Sequence, residues 1–140
     1  MQPPHPSTEK RVLELVDKAC REIRPVEEQH YLDEKFNPKV SGVFGKYNLL
    51  GMPVYAKYGG LGMGMLAYAK ALERIGQEGV GVRTFFSCHT SIGQLAIQQW
   101  GNEKQKRKYL PATVSGERIM AFALTEPAAG SDPAAMKTSF

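Results

Sequence analysis

Apolar residues recur at intervals of three and four over most of the chain, which is the spacing of helices with one buried face. The first series, Val12, Leu13, Val16, Ala19, Cys20 and Ile23, marks an N-terminal helix that Ser7 or Thr8 is placed to cap. Pro25 should interrupt or kink it, and the acid-rich stretch from Val26 to Lys35 continues in helical form until Asn37-Pro38 makes a turn. Pro38 to Tyr47 predicts a short second helix. From Met65 onward Leu66, Ala69, Leu72 and Ile75 line one face, with Lys70, Glu73 and Arg74 on the other, and Gly76 and Gly79 stop the pattern. A longer helix from about Val82 to Trp100 carries Phe85 or Phe86, His89, Ile92, Leu95 or Ala96, and Gln99 in step. On it His89 reads as an interior histidine and Trp100 as an anchor for the helix end. Asn102 is the expected N-cap of a last helix, Glu103 to Leu110, which Pro111 ends.

After Ser115-Gly116 the period changes. Ile119-Met-Ala-Phe-Ala-Leu-Thr125 is a short apolar run bounded by turn residues, the pattern of a buried strand. One strand is unstable by itself because its ladder groups need partners. The expectation is therefore a mainly α chain: a helical domain over residues 1–116, then the truncated start of a β domain over 117–140.

Composition narrows the class. At 140 residues, with 42% hydrophobic and 23% charged positions, the chain can bury a sizeable core without metals or disulfides. The two cysteines, Cys20 and Cys88, lie in no metal-ligand spacing. The longest apolar stretch is far below the ~20 residues that span a bilayer, and the N-terminus, Met-Gln-Pro-Pro-His-Pro, is neither a secretory signal nor a transit peptide. A cytoplasmic location in a bacterium or archaeon is expected over a mitochondrial matrix. Three of the four net positive charges fall between Gly101 and Arg118, which holds five bases against Glu103 and Glu117. No recognition motif accompanies them, so the cluster reads as a solvated helix face and not a nucleic-acid surface.

Two segments invite a chemical reading. Gly51 to Gly64, with glycine at 51, 59, 60, 62 and 64, contains neither a GxxxxGK[ST] nor a complete GxGxxG, so it reads as a tight connection between helices. Thr125-Glu-Pro-Ala-Ala-Gly-Ser-Asp132 is more informative. Thr125 and Ser131 offer hydroxyls, Pro127 stiffens the turn, and Gly130 allows a backbone approach that a side chain would block. Such a loop suits a flat heteroaromatic edge and a phosphate, and it suits a plain surface turn as well.

Phe122-Ala-Leu-Thr-Glu-Pro-Ala-Ala-Gly-Ser-Asp132 closely resembles the flavin-loop signature of the acyl-CoA dehydrogenase family. Two upstream elements match in order. Pro53-Val-Tyr-Ala-Lys-Tyr-Gly-Gly-Leu-Gly62 is similar to the family's Pro-x-x-Tyr-Gly-Gly turn, and Gly101 to Pro111 resembles its Gly-x-x-x-Gln-Lys-x-x-Tyr-Leu-Pro element. The resemblance implies an N-terminal helical domain, followed in family members by a middle β domain and a C-terminal four-helix domain. It further implies FAD contacts from Phe122, Ala123, Leu124, Thr125, Glu126, Pro127, Ala128, Ala129, Gly130 and Ser131, with Ser131 also near the acyl-CoA. Ala128 stands where the family has Gly or Asn, a departure that keeps the residue small.

The implied reaction is α,β-dehydrogenation of an acyl-CoA thioester, short-chain or glutaryl-type. The implied partners are electron-transfer flavoprotein as acceptor and further copies of the chain, completing a tetramer. The family's general base is a glutamate of the C-terminal domain, expected beyond residue 140; Glu126 reads as structural. Val82-Arg-Thr-Phe-Phe-Ser87 is similar to the glutaryl-CoA dehydrogenase branch, which puts Arg83 and Thr84 forward for a distal carboxylate, against a plain structural role for the arginine. The alternative class is a noncatalytic helical interaction module that retained the loop.

Overall fold

The computed structural model describes residues 6–139, with side chains from residue 8. The proline-rich leader therefore lies outside the described residues. Six α-helical segments follow one another: α1 (Pro6–Leu32), α2 (Lys39–Lys46), α3 (Met65–Gly76), α4 (Val80–Ser87), α5 (Ala96–Trp100) and α6 (Glu103–Val114). A π-helical stretch, Cys88–Leu95, joins α4 to α5, so the long helix expected from Val82 is present with a widened turn in its middle.

α1 buries all six apolar residues of its predicted face. They meet Val40 and Phe44 of α2, Ala67, Tyr68, Ala71 and Ile75 of α3, and Val82 and Phe86 of α4 in one core. Aromatic rings fill its centre: Phe86 packs edge-on against Phe44 at 5.0 Å and stacks on Tyr68 at 6.0 Å. Burying apolar surface at about 25 cal/mol per Å² makes this contact set the main source of stability.

Several expectations need correcting. Pro25 does not interrupt α1, which runs on to Leu32. The turn beyond it is held from outside, by Arg24 paired through two hydrogen bonds with Glu78 and by the Asn37 amide donating to Glu27 at 3.0 Å. Because α1 begins at Pro6, Ser7 and Thr8 lie within the helix and not at its cap. α3 is rotated from its predicted face: Ala67, Tyr68, Ala71 and Ile75 are buried, whereas Leu66 is 69% exposed. α6 passes through Pro111 to Val114; Asn102 and Gln105 close it at the start with reciprocal side-chain bonds of 2.8 and 2.9 Å, a capping box. Trp100, expected to anchor the helix end, is 81% exposed.

The largest difference lies after Gly116. Residues 119–125 form no strand and are not buried, with Ile119 and Phe122 about half exposed. The described residues contain no second extended segment to complete a ladder, so this stretch has no sheet partner, and Glu126 then pairs with Ala129 in an isolated bridge.

Candidate functional site

Two of the three sequence elements that carry the resemblance, the glycine-rich turn and the start of α6, pack against each other. In the glycine-rich segment, the Tyr55 N–H donates to the Gln98 side chain at 2.7 Å, and the Gln98 amide returns a bond to the Pro53 carbonyl at 3.3 Å. The Tyr58 hydroxyl reaches Glu103 at the start of α6 at 2.9 Å, while Val54 and Tyr58 pack on Leu110 and Val114. The carboxyl of Glu103 is held below its ordinary range first by the Tyr58 hydrogen bond and then by Lys57. Gly60 permits the turn, since a Cβ there would sit 2.1 Å from the Val54 carbonyl oxygen.

The polar interior was legible only in part. Phe86, Thr90, Gln94 and Gln98 recur every four residues and are buried, where the sequence reading had put Ile92 and Gln99. That i, i+4 series of polar residues inside an apolar helix was the available signal. Thr90 and Ser91 donate their hydroxyls to the carbonyls of Phe86 and Ser87, at 2.6 and 2.7 Å, in competition with the backbone N–H groups an α-helix would place there. The helix widens into its π register at this point.

His89 is fully buried, as expected of an interior histidine. Its Nε2 bonds to the Thr113 carbonyl at 2.9 Å, and its Nδ1 accepts the Met120 N–H at 3.0 Å. The two partners fix the tautomer: Nε2 carries the proton and donates, Nδ1 is the bare acceptor. Burial pushes the imidazole below its ordinary value of 6.5, opposed by the Thr113 carbonyl. The unfolded chain therefore binds a proton that the folded chain refuses as pH falls below about 6.5, so this residue's contribution to stability is present above that value and declines beneath it. The denaturant midpoint should fall between pH 7.5 and 5.5, and it should fall less in His89→Asn; an identical decline in both would assign the effect to other groups.

The candidate flavin loop follows Met120. Phe122, Ala123, Thr125, Pro127, Ala128 and Ser131 are exposed, Leu124, Glu126 and Gly130 are half-buried, and Ala129 is buried. Glu126 closes the loop on itself: its carboxylate accepts the backbone N–H of Lys137 at 2.6 Å and of Thr138 at 3.0 Å, together with the Thr138 hydroxyl. These bonds hold its carboxyl below the usual range, the Thr138 hydroxyl most of all. Asp132 accepts the Ala134 N–H at 3.1 Å and starts a short turn at Pro133–Ala135. The hydroxyls of Thr125 and Ser131 have no partner among the described residues. Arg83 and Thr84 are exposed side by side at the start of the long helix, and nothing among the described residues brings them to the loop.

Residues 7–117 match the family model described as "Acyl-CoA dehydrogenase, N-terminal domain". The chain belongs to the acyl-CoA dehydrogenase family. It is 39% identical over 123 residues to an acyl-CoA dehydrogenase of Bacillus subtilis, covering 88% of this chain and 32% of that protein. Among solved structures it is similar to glutaryl-CoA dehydrogenase from Mycobacterium smegmatis, at 35% identity and a TM-score of 0.84 over 93% of this chain and 34% of that one. A glutaryl-CoA dehydrogenase from Mycobacterium smegmatis solved in complex with FADH2 is similar at 30% identity and a TM-score of 0.84, over 93% of this chain and 34% of that one. A chain in the structure described as electron transferring flavoprotein of Acidaminococcus fermentans superposes with a TM-score of 0.89 at 26% identity, over 99% of this chain and 37% of that one. The chain thus spans about a third of the length of these relatives. Among the described residues no helix is long and apolar enough to cross a membrane.

Proposed function

We propose that residues 1–116 form the N-terminal helical domain, and residues 117–140 the opening of the middle β domain, of an FAD-dependent enzyme that dehydrogenates acyl-CoA thioesters between the α and β carbons. The observation that carries this reading is the loop from Phe122 to Ser131, presented on a family scaffold with both hydroxyls unengaged. The donor set fits a flavin: exposed apolar positions at Phe122 and Ala123 offer a flat surface, and Thr125 and Ser131 offer donors to polar ring atoms and to phosphate. When bound, the flavin supplies the acceptor for the β hydride. This chain's part is to seat it, with Glu126 holding the loop closed and Ser131 reaching toward both cofactor and acyl-CoA.

The general base belongs to sequence outside this chain, and Glu126 is no substitute, because its carboxylate is already committed to the loop's own N–H groups. Electron-transfer flavoprotein as acceptor, a homotetramer and a cytoplasmic location complete the proposal. The decisive measurement is on the complete polypeptide. It should purify with FAD, and the flavin absorbance should bleach on adding an acyl-CoA; an FAD-free protein that bleaches with none would leave the helical interaction module as the better reading.

Arg83 supports a dicarboxyl acyl chain. Its guanidinium is exposed, has no ion-pair partner among the described residues, and stands next to the Thr84 hydroxyl. In the same polypeptide Arg83→Ala should lower activity on glutaryl-CoA by at least about tenfold more than on butyryl-CoA, the size of one charge-assisted contact. Equal losses would remove the dicarboxylate assignment and leave the dehydrogenase intact.

A further inference from the structure

Among the described residues, one buried titratable side chain bridges the helical unit and the chain that leads into the loop. His89 donates from Nε2 to the end of α6, at Thr113, and accepts at Nδ1 from Met120, two residues before Phe122. Directly beside it Gly93 lets Met120 approach so closely that a Cβ on residue 93 would lie 2.4 Å from the Met120 Cβ. The widened π turn brings both residues to this position, because His89 and Gly93 both lie within Cys88–Leu95. The Gln94 amide nitrogen lies 3.2 Å from the same Nε2 while its oxygen has no partner. The same amide nitrogen donates to the Thr113 hydroxyl at 3.1 Å, so it lies beside Nε2 without pairing with it.

We propose that His89 and Gly93 together form a clamp on Met120 that sets where the flavin loop leaves the helical domain, with His89 as a positioning residue. Residues 119–125 have no sheet partner; the Arg118 N–H donates to the Ala112 carbonyl at 3.0 Å just before them, and the His89 bond to Met120 is the contact that holds the stretch itself to the long helix. A loop that must present Thr125 and Ser131 in a fixed geometry gains from an anchor whose own rotamer is locked on both ring nitrogens. The consequence for the cofactor rests on the flavin reading; the clamp itself does not.

Two substitutions separate positioning from packing. In His89→Asn the side-chain oxygen falls near the place of Nδ1 and still accepts from Met120. In His89→Gln the amide reaches the place of Nε2, keeps the Thr113 bond and loses Met120. Amide hydrogen exchange on the 140-residue chain is the readout, with the amides of Val16 and Phe44 reporting global stability. Relative to those, Met120 should exchange roughly three- to tenfold faster in the Gln variant, as expected for one hydrogen bond lost, and stay protected in the Asn variant. Gly93→Ala should release Met120 with the histidine intact.

Equal Met120 protection in the Gln and Asn variants, or protection retained in Gly93→Ala, would overturn the clamp. Should the variants fail to fold, the nitrogen-15 shifts of His89 in the unaltered chain decide: a protonated Nδ1 contradicts it, a bare Nδ1 upholds it. Titration of the complete polypeptide with FAD is read separately. Failure there defeats the flavin reading and leaves the clamp, whereas the exchange result stands or falls without the cofactor.

Discussion

Phe44→Ala is expected to cost the chain about 3–5 kcal/mol, the range for removing a buried phenylalanine without collapse of the cavity. Phe44 has no solvent exposure, and its ring meets Phe86 edge-on at 5.0 Å. It lies where α2 faces α1 and α4, so the space it leaves is bounded by Phe86 and by the residues of α1 on separate helices that would all have to move to fill it. The thermal midpoint should drop by roughly 10–20 °C for a domain of this size, followed by far-ultraviolet circular dichroism. A drop of only a degree or two would mean that the three helices close over the gap, and that the core is less rigid than its packing implies.

Gly60→Ala should be nearly as damaging for a different reason. The obstacle is backbone: a Cβ would meet the Val54 carbonyl oxygen at 2.1 Å and its carbon at 2.5 Å, neither of which can rotate away. Relief requires opening the turn, at the expense of the Gly62 N–H to Val54 and Leu61 N–H to Gly51 bonds, 2.8 and 2.9 Å long. Overpacking plus two lost bonds amounts to about 3 kcal/mol. Gly42→Ala is the matched control, since nothing lies within 4 Å of a Cβ at that helical position. It should be neutral or stabilise by up to about 1 kcal/mol. Denaturant midpoints of the two variants compared with the parent give the test, and equal midpoints would mean that the turn accommodates a methyl group. The outcome bears on the site as well, because Tyr55 and Tyr58 on this turn tie it to Gln98 and Glu103.

The amphipathic series of α1 was readable because its apolar residues are numerous and its polar face carries charges, leaving one rotation that buries the first and solvates the second. α3 was misread because Tyr68 and alanines form its buried face while Leu66 faces outward. Hydrophobicity ranked Leu66 above Ala67, but close helix approach favours the small residue. In the long helix the reading failed for the opposite reason. Thr90, Gln94 and Gln98 look like surface residues until their partners are known, and each is buried because a carbonyl or hydroxyl from elsewhere in the chain meets it.

The loop shows the same division. Its membership and its candidate contacts stood in the order of residues from Phe122 to Asp132, since that chemistry is local: a hydroxyl, a stiff turn, a glycine, a hydroxyl. Its closure by Glu126 on Lys137 and Thr138 joins positions eleven and twelve apart, and its tether through His89 to Met120 joins positions 31 apart. No spacing rule predicts pairs at that separation. The expected strand at 119–125 marks the boundary from the other side: its apolar content favours burial in a sheet, but a strand exists only when another is beside it. The sequence alone therefore determined the helical class, the family and the loop, which depend on local periodicity and motif. Tertiary structure decided which faces are buried, how the polar interior is satisfied and where the loop departs, because those depend on partners that only folding brings together.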